Sequence, residues 1–240
     1  MQEVPPVPDA SLVIPVYNEE GLLRTAIVAL VDRLNDVDFT VEIVISENGS
    51  TDQTKEIAFQ LEQKYPNVRA LISDEPNYGR ALRRAITDAR GAYVLCDEID
   101  ICDVDFHQRA MDILRTDDAD MVVGSKRHRD AKDQRPLFRR AGTSVINFML
   151  RVFLDFQGTD THGLKAFNRE RLLGVVSRCI VDKDLFASEF VIRAERASFR
   201  IVEVPVEIME KRPPSINLSR RVPHVLKNLA KLIVAIRIRG

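Results

Sequence analysis

The sequence lacks the features that mark several common protein classes. Its three cysteines, Cys96, Cys102 and Cys179, are odd in number and have no metal-ligand spacing, so we expect no disulfide scaffold and a reducing, cytoplasmic setting. No stretch of about 18 apolar residues occurs, so no transmembrane helix is expected. The net charge of −1 gives no overall field that would attract nucleic acid.

Three catalytic signatures are also missing. No Gly-x-Gly-x-x-Gly follows the first predicted strand, which argues against a nicotinamide enzyme, and no Gly-x-x-x-x-Gly-Lys-Ser/Thr indicates a P-loop. No Ser–His–Asp or Cys–His pattern at a recognisable spacing supports nucleophilic catalysis. These absences remove the commonest functions of an α/β chain of this length.

Strands and helices are predicted to alternate through the first hundred residues. Short apolar runs suited to buried strands occur at 11–16, 41–46, 68–72 and 93–96, and segments with helical periodicity separate them. This order predicts an α/β fold with a mostly parallel sheet flanked by helices. We expect an N-terminal tail (1–10), one domain (11–215) with halves at 11–105 and 106–215, and a C-terminal helix (216–240).

The strand predicted at Tyr93–Cys96 ends in acid. Glu98 and Asp100 are two residues apart, so in an extended chain their side chains point to the same side. Two such carboxylates at the carboxyl end of a strand suit Mg²⁺ or Mn²⁺ carrying a diphosphate. The alternative is an ordinary solvated loop or the cap of the next helix.

An ordered set of short motifs resembles family 2 glycosyltransferases of the GT-A fold. The motifs lie at 13–20, 47–52, 77–79, 98–100, 123–125 and 160–167, followed by Glu189 and by Glu203-Val204-Pro205. The longer pattern is most similar to the dolichyl-phosphate mannose synthase branch. The resemblance implies an inverting, metal-dependent transfer of a sugar from a nucleotide-sugar, either GDP-mannose or a UDP-sugar.

The resemblance also implies roles for individual residues. Asp100 would be the main diphosphate–metal ligand, Glu98 would assist it, and Glu189 would belong to the catalytic site. A further group would bind the nucleotide: Pro15, Tyr17, Glu19, Glu47, Asn48 and Gly79. Glu47, Asn48 and Glu98 stand where the family usually has Asp, which leaves a degenerate binding module without turnover as an alternative. Glu19 could instead be a helix-start acid, and Gly79 a turn glycine.

Basic residues fall in the segments that this family places around the acceptor. The predicted acceptor-phosphate group is Lys126, Arg127, Arg139, Arg140 and Arg212, and Arg129 lies in the same segment. Arginine suits phosphate through its planar fork, so a polyprenyl or dolichyl phosphate acceptor is favoured over a hydroxyl acceptor on a glycan or small molecule. The alternative is a solvated mobile loop over 126–140.

The C-terminal segment is basic and amphipathic. Residues 211–240 contain eight Lys or Arg residues and no Asp or Glu. An apolar stripe at Val222, Leu226, Leu229, Ile233 and Ile236 predicts either a peripheral helix at the inner membrane face or a helix docked on the domain itself.

Overall fold

The computed structural model describes residues 7–133, 137–182, 185–208 and 218–237. The strands are β1 (Ala10–Val16), β2 (Val41–Glu47), β3 (Val68–Leu71), β4 (Tyr93–Cys96), β5 (Met121–Ser125), β6 (Lys132–Asp133), β7 (Lys165–Asn168), β8 (Ile201–Pro205) and β9 (Glu207–Ile208). The helices are α1 (Leu23–Leu34), α2 (Thr54–Lys64), α3 (Tyr78–Asp88), α4 (Val104–Arg115), α5 (Leu137–Leu154), α6 (Arg169–Arg178), α7 (Phe186–Arg196) and α8 (Leu218–Arg237).

The predicted mostly parallel sheet is confirmed. Seven strands are hydrogen-bonded in the order β3-β2-β1-β4-β7-β5-β8, and only β7 runs antiparallel to its neighbours. Two clusters of buried apolar side chains cover the two faces of this sheet. The alternating strand and helix pattern therefore reflects burial of the sheet on both sides.

The antiparallel strand β7 decides where the second half of the chain meets the first. It lies between β4 and β5, with Cys96 opposite Lys165 and Val123 opposite the same lysine. Because β7 runs in the opposite direction, the loop before it reaches the edge where β4 and β5 end. The short strand itself is predicted from the sequence, but its direction and neighbours are not, since apolar runs carry no information on pairing.

The segment 126–140, predicted as a mobile loop, is partly ordered. Lys132–Asp133 forms β6 and pairs in parallel with β9, while α5 begins at Leu137. Such a short strand carries no periodicity that sequence analysis could detect.

Helix α8 is docked on the domain. Leu229, Leu232, Ala235 and Ile236 are buried in the same core cluster as α5 and α7. Arg237 forms an ion pair with Asp155 at 2.7 Å. The membrane-surface prediction is thus wrong for this part of α8, because the apolar stripe is used internally; the stripe residues Val222 and Leu226 lie outside the described side chains. None of the helices within the described ranges is long and apolar enough to cross a bilayer.

Candidate functional site

The loops after β1 and β2 interlock at the carboxyl edge of the sheet. The Asn18 amide donates to Ser50 Oγ at 3.0 Å, and Asn18 Oδ1 accepts from the Thr51 amide at 2.9 Å. Asn18 has a positive φ of 53°, and α1 begins only at Leu23. The Asn18 side chain therefore joins two loops. It does not cap the helix, although its position before an apolar repeat would suggest that role.

The residues predicted to line the nucleotide lie around these loops. Pro15 is buried next to the end of β1, where its missing N–H costs no ladder bond to β4, since that pairing ends at Val13. Tyr17 follows the strand and is 44% exposed, while Glu19 donates its amide to Thr54 Oγ1 at 2.7 Å. Gly79 lies in the first turn of α3.

Glu47 and Asn48 end β2 in different surroundings. Glu47 is fully buried; its Oε1 accepts from the Ser50 amide, and its Oε2 has no hydrogen-bond partner among the described residues. Asn48 Oδ1 accepts from the Asn77 amide at 2.5 Å, and Asn77 Oδ1 caps α3 at the Arg80 amide. Asn48 thus fixes the start of α3, while Glu47 keeps one carboxylate oxygen for another donor.

Asp97 organises the loop after β4, a role that sequence analysis missed. Its Oδ1 accepts from the amides of Glu98 (2.6 Å) and Cys102 (3.2 Å), and its Oδ2 from the amide of Asp103 (3.0 Å). The same Oδ2 lies 2.7 Å from Nε2 of buried His107. These contacts commit Asp97 to holding the loop.

Glu98 and Asp100 are brought together by a turn. The strand ends at Cys96, and the Glu98 carbonyl accepts from the Ile101 amide at 2.9 Å. The extended geometry assumed from the sequence is therefore wrong, although the two charges still interact. The side chain of Glu98 is exposed, yet surrounding protein atoms desolvate it. Desolvation and then the negative charge of Asp100 raise the pKa of Glu98 to about 7.

This pair fits a metal that brings its own ligands. No cluster of three or more His, Cys, Asp or Glu side chains suited to a metal occurs within the described parts of the chain. Mg²⁺ and Mn²⁺ accept few protein carboxylates when phosphate oxygens and water complete the coordination. Two coupled carboxylates suit such an ion, which would relieve the repulsion that raises the pKa of Glu98.

Two lysines lie beside the acids. Lys126 was predicted for another role, and Lys165 was not predicted as a site residue. Lys126, predicted to bind acceptor phosphate, forms an ion pair with buried Asp160 at 2.9 Å. Lys165 is 3% exposed and donates from Nζ to the Gly163 carbonyl at 2.7 Å; burial lowers its pKa. A lysine interrupting an apolar strand is the signal that could have identified Lys165.

A basic pocket opens beside this edge. Its cavity has a volume of about 260 Å³ and is lined by Lys126, Arg127, His128, Arg129, Ala131 and Arg140. The structure thus brings three of the predicted acceptor-phosphate residues together and adds His128 and Arg129. The side chain of Arg139 and the whole of Arg212 lie outside the described residues. Because Lys126 lines the pocket and also influences the pKa of Glu98, the basic and acidic groups are neighbours.

Glu189 lies in the first turn of α7 and is fully buried. Its Oε2 accepts from the amides of Ile180 (2.9 Å) and Val181 (2.6 Å), and its Oε1 from Arg193 Nε at 2.8 Å. Both oxygens are thus occupied in holding the loop before α7. The catalytic role suggested by the resemblance stays a prediction.

The chain resembles glycosyltransferases in sequence and in fold. It is 28% identical over 219 residues to the glycosyltransferase AglD of Haloferax volcanii, covering 89% of this chain and 35% of that protein. It is 29% identical over 223 residues to the human dolichyl-phosphate β-glucosyltransferase, covering 85% of this chain and 68% of the relative. The chain thus spans about a third to two thirds of these relatives.

Solved structures extend the likeness to the fold. Glucosyl-3-phosphoglycerate synthase of Mycobacterium tuberculosis, crystallised with Mn²⁺, UDP and glucosyl-3-phosphoglycerate, superposes with a TM-score of 0.67 at 18% identity, covering 96% of this chain and 81% of that one. The model of glycosyl transferase family 2 matches residues 11–175, which include the motifs at the carboxyl edge of the sheet up to β7. The chain belongs to glycosyl transferase family 2.

Proposed function

We propose that the protein transfers a sugar from a nucleotide-sugar to a polyprenyl phosphate. The observation that carries this proposal is the basic pocket next to Glu98 and Asp100. An acidic pair suits a metal–diphosphate leaving group, and a cavity lined by arginine, lysine and histidine suits a second phosphate. Lys126 lines the pocket and also influences the pKa of Glu98, which supports binding of the two anionic substrates beside each other.

The chemistry needs no general base. A phosphate monoester is already anionic near pH 7, so one of its oxygens attacks the anomeric carbon directly while the bond from that carbon to the diphosphate oxygen breaks. The electron pair leaves with the nucleoside diphosphate, and the configuration at the anomeric carbon inverts. A bound divalent cation would neutralise the charge that grows on the diphosphate. Arg127 and Arg140 would orient the attacking phosphate.

A UDP-sugar is the preferred donor, and glucose the preferred sugar. Relatives with 25 to 30% identity are named dolichyl-phosphate β-glucosyltransferases, which favours glucose over the mannose expected from the branch resemblance. The Oε2 atom of Glu47, which has no hydrogen-bond partner among the described residues, is the acceptor that we assign to the N–H of a uracil ring. Mn²⁺ is preferred to Mg²⁺ because it accompanies UDP in the structures of the same fold.

A phosphorylated small molecule is the second candidate acceptor. The same basic pocket would hold the phosphate of such a molecule while one of its hydroxyl groups attacks the sugar. The related fold crystallised with glucosyl-3-phosphoglycerate motivates this alternative. Its hydroxyl would need a base, and none of the described residues that line the pocket is a carboxylate.

The first prediction tests the pocket. Arg127→Ala combined with Arg140→Ala should raise the KM for a polyprenyl phosphate by about tenfold or more, because each charged hydrogen bond to phosphate contributes about 1.5 to 3 kcal/mol. The affinity for UDP with Mn²⁺, measured by calorimetry, should stay within about twofold. Transfer from UDP-glucose is followed with radiolabelled sugar.

Arg24→Ala, on the exposed surface of α1, is the control. It should change neither the KM for the polyprenyl phosphate nor the affinity for UDP with Mn²⁺. A variant with unchanged KM for the lipid phosphate would refute the pocket assignment. Faster transfer to 3-phosphoglycerate than to the lipid phosphate would favour the second candidate. Absence of transfer with every nucleotide-sugar, together with intact UDP binding, would indicate a binding module.

A further inference from the structure

The outer face of α5 is apolar and open to solvent. Val145 is 57% exposed, Phe148 66% and Val152 54%, and Ala141 one turn earlier is also exposed. These four positions follow the spacing i, i+4, i+7 and i+11, so they form one stripe about 17 Å long. A surface helix normally carries polar residues on the side away from the core, whereas this one carries none along the stripe.

The inner face of the same helix is firmly held. Leu150 and Leu154 are buried in the core, and Asn147 Nδ2 donates to the Thr159 carbonyl at 2.6 Å. The apolar stripe is therefore not a misplaced core face, because the core side of α5 is already filled. We call residues Ala141, Val145, Phe148 and Val152 the outer stripe.

The outer stripe borders the basic pocket. Arg127 Nη1 donates to Ser144 Oγ at 2.5 Å, and Ser144 lies directly before Val145 on α5. Arg140, which lines the pocket, is on the same flank one turn earlier, and exposed Arg151 continues this flank toward the C-terminus of the helix. One flank of the stripe is thus positively charged, and the pocket opens on that flank.

Charge and size together identify the occupant of this surface. An apolar strip flanked by arginine matches the interface of an anionic bilayer, where apolar side chains enter the acyl region and cations meet the headgroups. A single stripe of four side chains is small compared with the roughly 800 Å² per partner that a stable protein interface buries. A lipid phosphate held in the pocket would also have its chain directed into the same layer.

We propose that the outer stripe of α5 is the surface by which this protein docks on an anionic membrane, with the basic pocket at the level of the headgroups. This inference rests on the proposed function, since it gives the pocket access to an acceptor that resides in a bilayer. It also moves the membrane contact from α8, where Leu229, Leu232, Ala235 and Ile236 are buried in the core, to α5. Docking through one helix predicts reversible binding, because about four apolar side chains insert.

The chain contains no tryptophan, so one introduced tryptophan reports on its own surroundings. Phe148→Trp should shift its fluorescence to the blue on addition of vesicles of equimolar phosphatidylcholine and phosphatidylglycerol. Brominated lipids should quench that emission. Phe59→Trp is the matched control, because Phe59 is 48% exposed on α2 and should show neither effect.

A loss variant supplies a second measurement. Phe148→Gln with Val152→Gln should weaken cosedimentation with the same vesicles by about tenfold or more, since two apolar insertions are lost. Phe59→Gln should leave cosedimentation unchanged. Transfer to a short, water-soluble isoprenyl phosphate should be equal in wild type and in the double variant, because the pocket is intact.

Several results would overturn the docking surface. One is that the wild-type protein does not bind anionic vesicles at low salt. Another is that the fluorescence of Phe148→Trp does not shift while the protein binds the vesicles. Concentration-dependent dimers that only the double variant abolishes would assign the stripe to a second copy of the chain. The proposed function fails separately, if the wild-type protein transfers no sugar to the soluble isoprenyl phosphate while vesicle docking persists.

Discussion

Asp97 and Asp100 lie three residues apart, and their surroundings give them different tasks. Asp97 is buried, accepts from three backbone amides, and has its Oδ2 2.7 Å from Nε2 of His107. Asp100 is partly exposed, and its charge contributes to the raised pKa of Glu98 across the turn. The Asp97 carboxylate holds the loop through its hydrogen bonds, whereas the Asp100 carboxylate is available for a ligand.

This difference predicts opposite outcomes for two similar substitutions. Asp100→Ala should abolish the Mn²⁺-dependent part of UDP binding in calorimetry and leave the free energy of unfolding nearly unchanged. Asp97→Asn should lower the free energy of unfolding by about 2 kcal/mol, since an amide nitrogen replaces an acceptor among buried N–H groups. Unchanged metal-dependent UDP affinity in Asp100→Ala would remove Asp100 from the metal site.

At the scale of elements, α8 shows how a basic amphipathic helix can belong to a core. Its described apolar face packs against α5 and α7, and Arg193 Nη2 donates to the Ala235 carbonyl at 3.2 Å. The exposed face carries Lys227 and Lys231, two of the eight basic residues of 211–240. Helix α8 therefore packs on the core side of α5 and leaves the outer stripe uncovered.

The docked helix can be tested with a pair of substitutions on one element. Leu232 is fully buried, so Leu232→Ala should cost about 2 to 4 kcal/mol in urea denaturation through lost burial and a cavity. Val234 is 41% exposed, and Val234→Ala should cost less than about 0.5 kcal/mol. Equal small effects at both positions would show that α8 does not pack on the domain in solution.

At the scale of the whole molecule, the two edges of the sheet are specialised differently. The carboxyl edge holds the acidic pair and the basic pocket. The opposite edge holds an ion-pair cluster in which Asp120 meets Arg171 at 2.6 Å and Arg200 at 3.1 Å. The Arg200 amide also donates to Asp120 Oδ2 at 2.8 Å, which ties the starts of β5 and β8 together.

This cluster predicts a pH dependence of stability. Hydrogen bonds from Arg200, outweighing the opposing effect of burial, hold the pKa of Asp120 well below its usual range. A lowered pKa in the folded state adds stability that is complete above the unfolded value of about 4 and is lost as the pH falls below it. Asp120→Asn should thus destabilise the protein by about 2 to 3 kcal/mol at pH 7 in urea denaturation, with a smaller difference at pH 3. A difference independent of pH would contradict this account.

The order and type of the main elements, and the family, could be predicted from local patterns of residues. Apolar runs depend on local burial, so strands such as Tyr93–Cys96 could be predicted to the residue. The motifs around Glu47, Glu98 and Asp100 are likewise local, because loops at the ends of parallel strands meet at one edge. The acidic and basic groups of the site were therefore both predicted, apart from Lys165 and the loop-holding role of Asp97.

The partners of those residues follow from the packing of the whole chain. The sequence carries the apolar stripes of both α5 and α8, but periodicity cannot say which stripe faces the core and which faces solvent. Strand pairing placed β7 antiparallel between β4 and β5, and so brought Asp160 and Lys165 next to the acids of the first half. The pairing of β7 and the docking of α8 depend on the packing of segments that are distant in the chain, which no local pattern records.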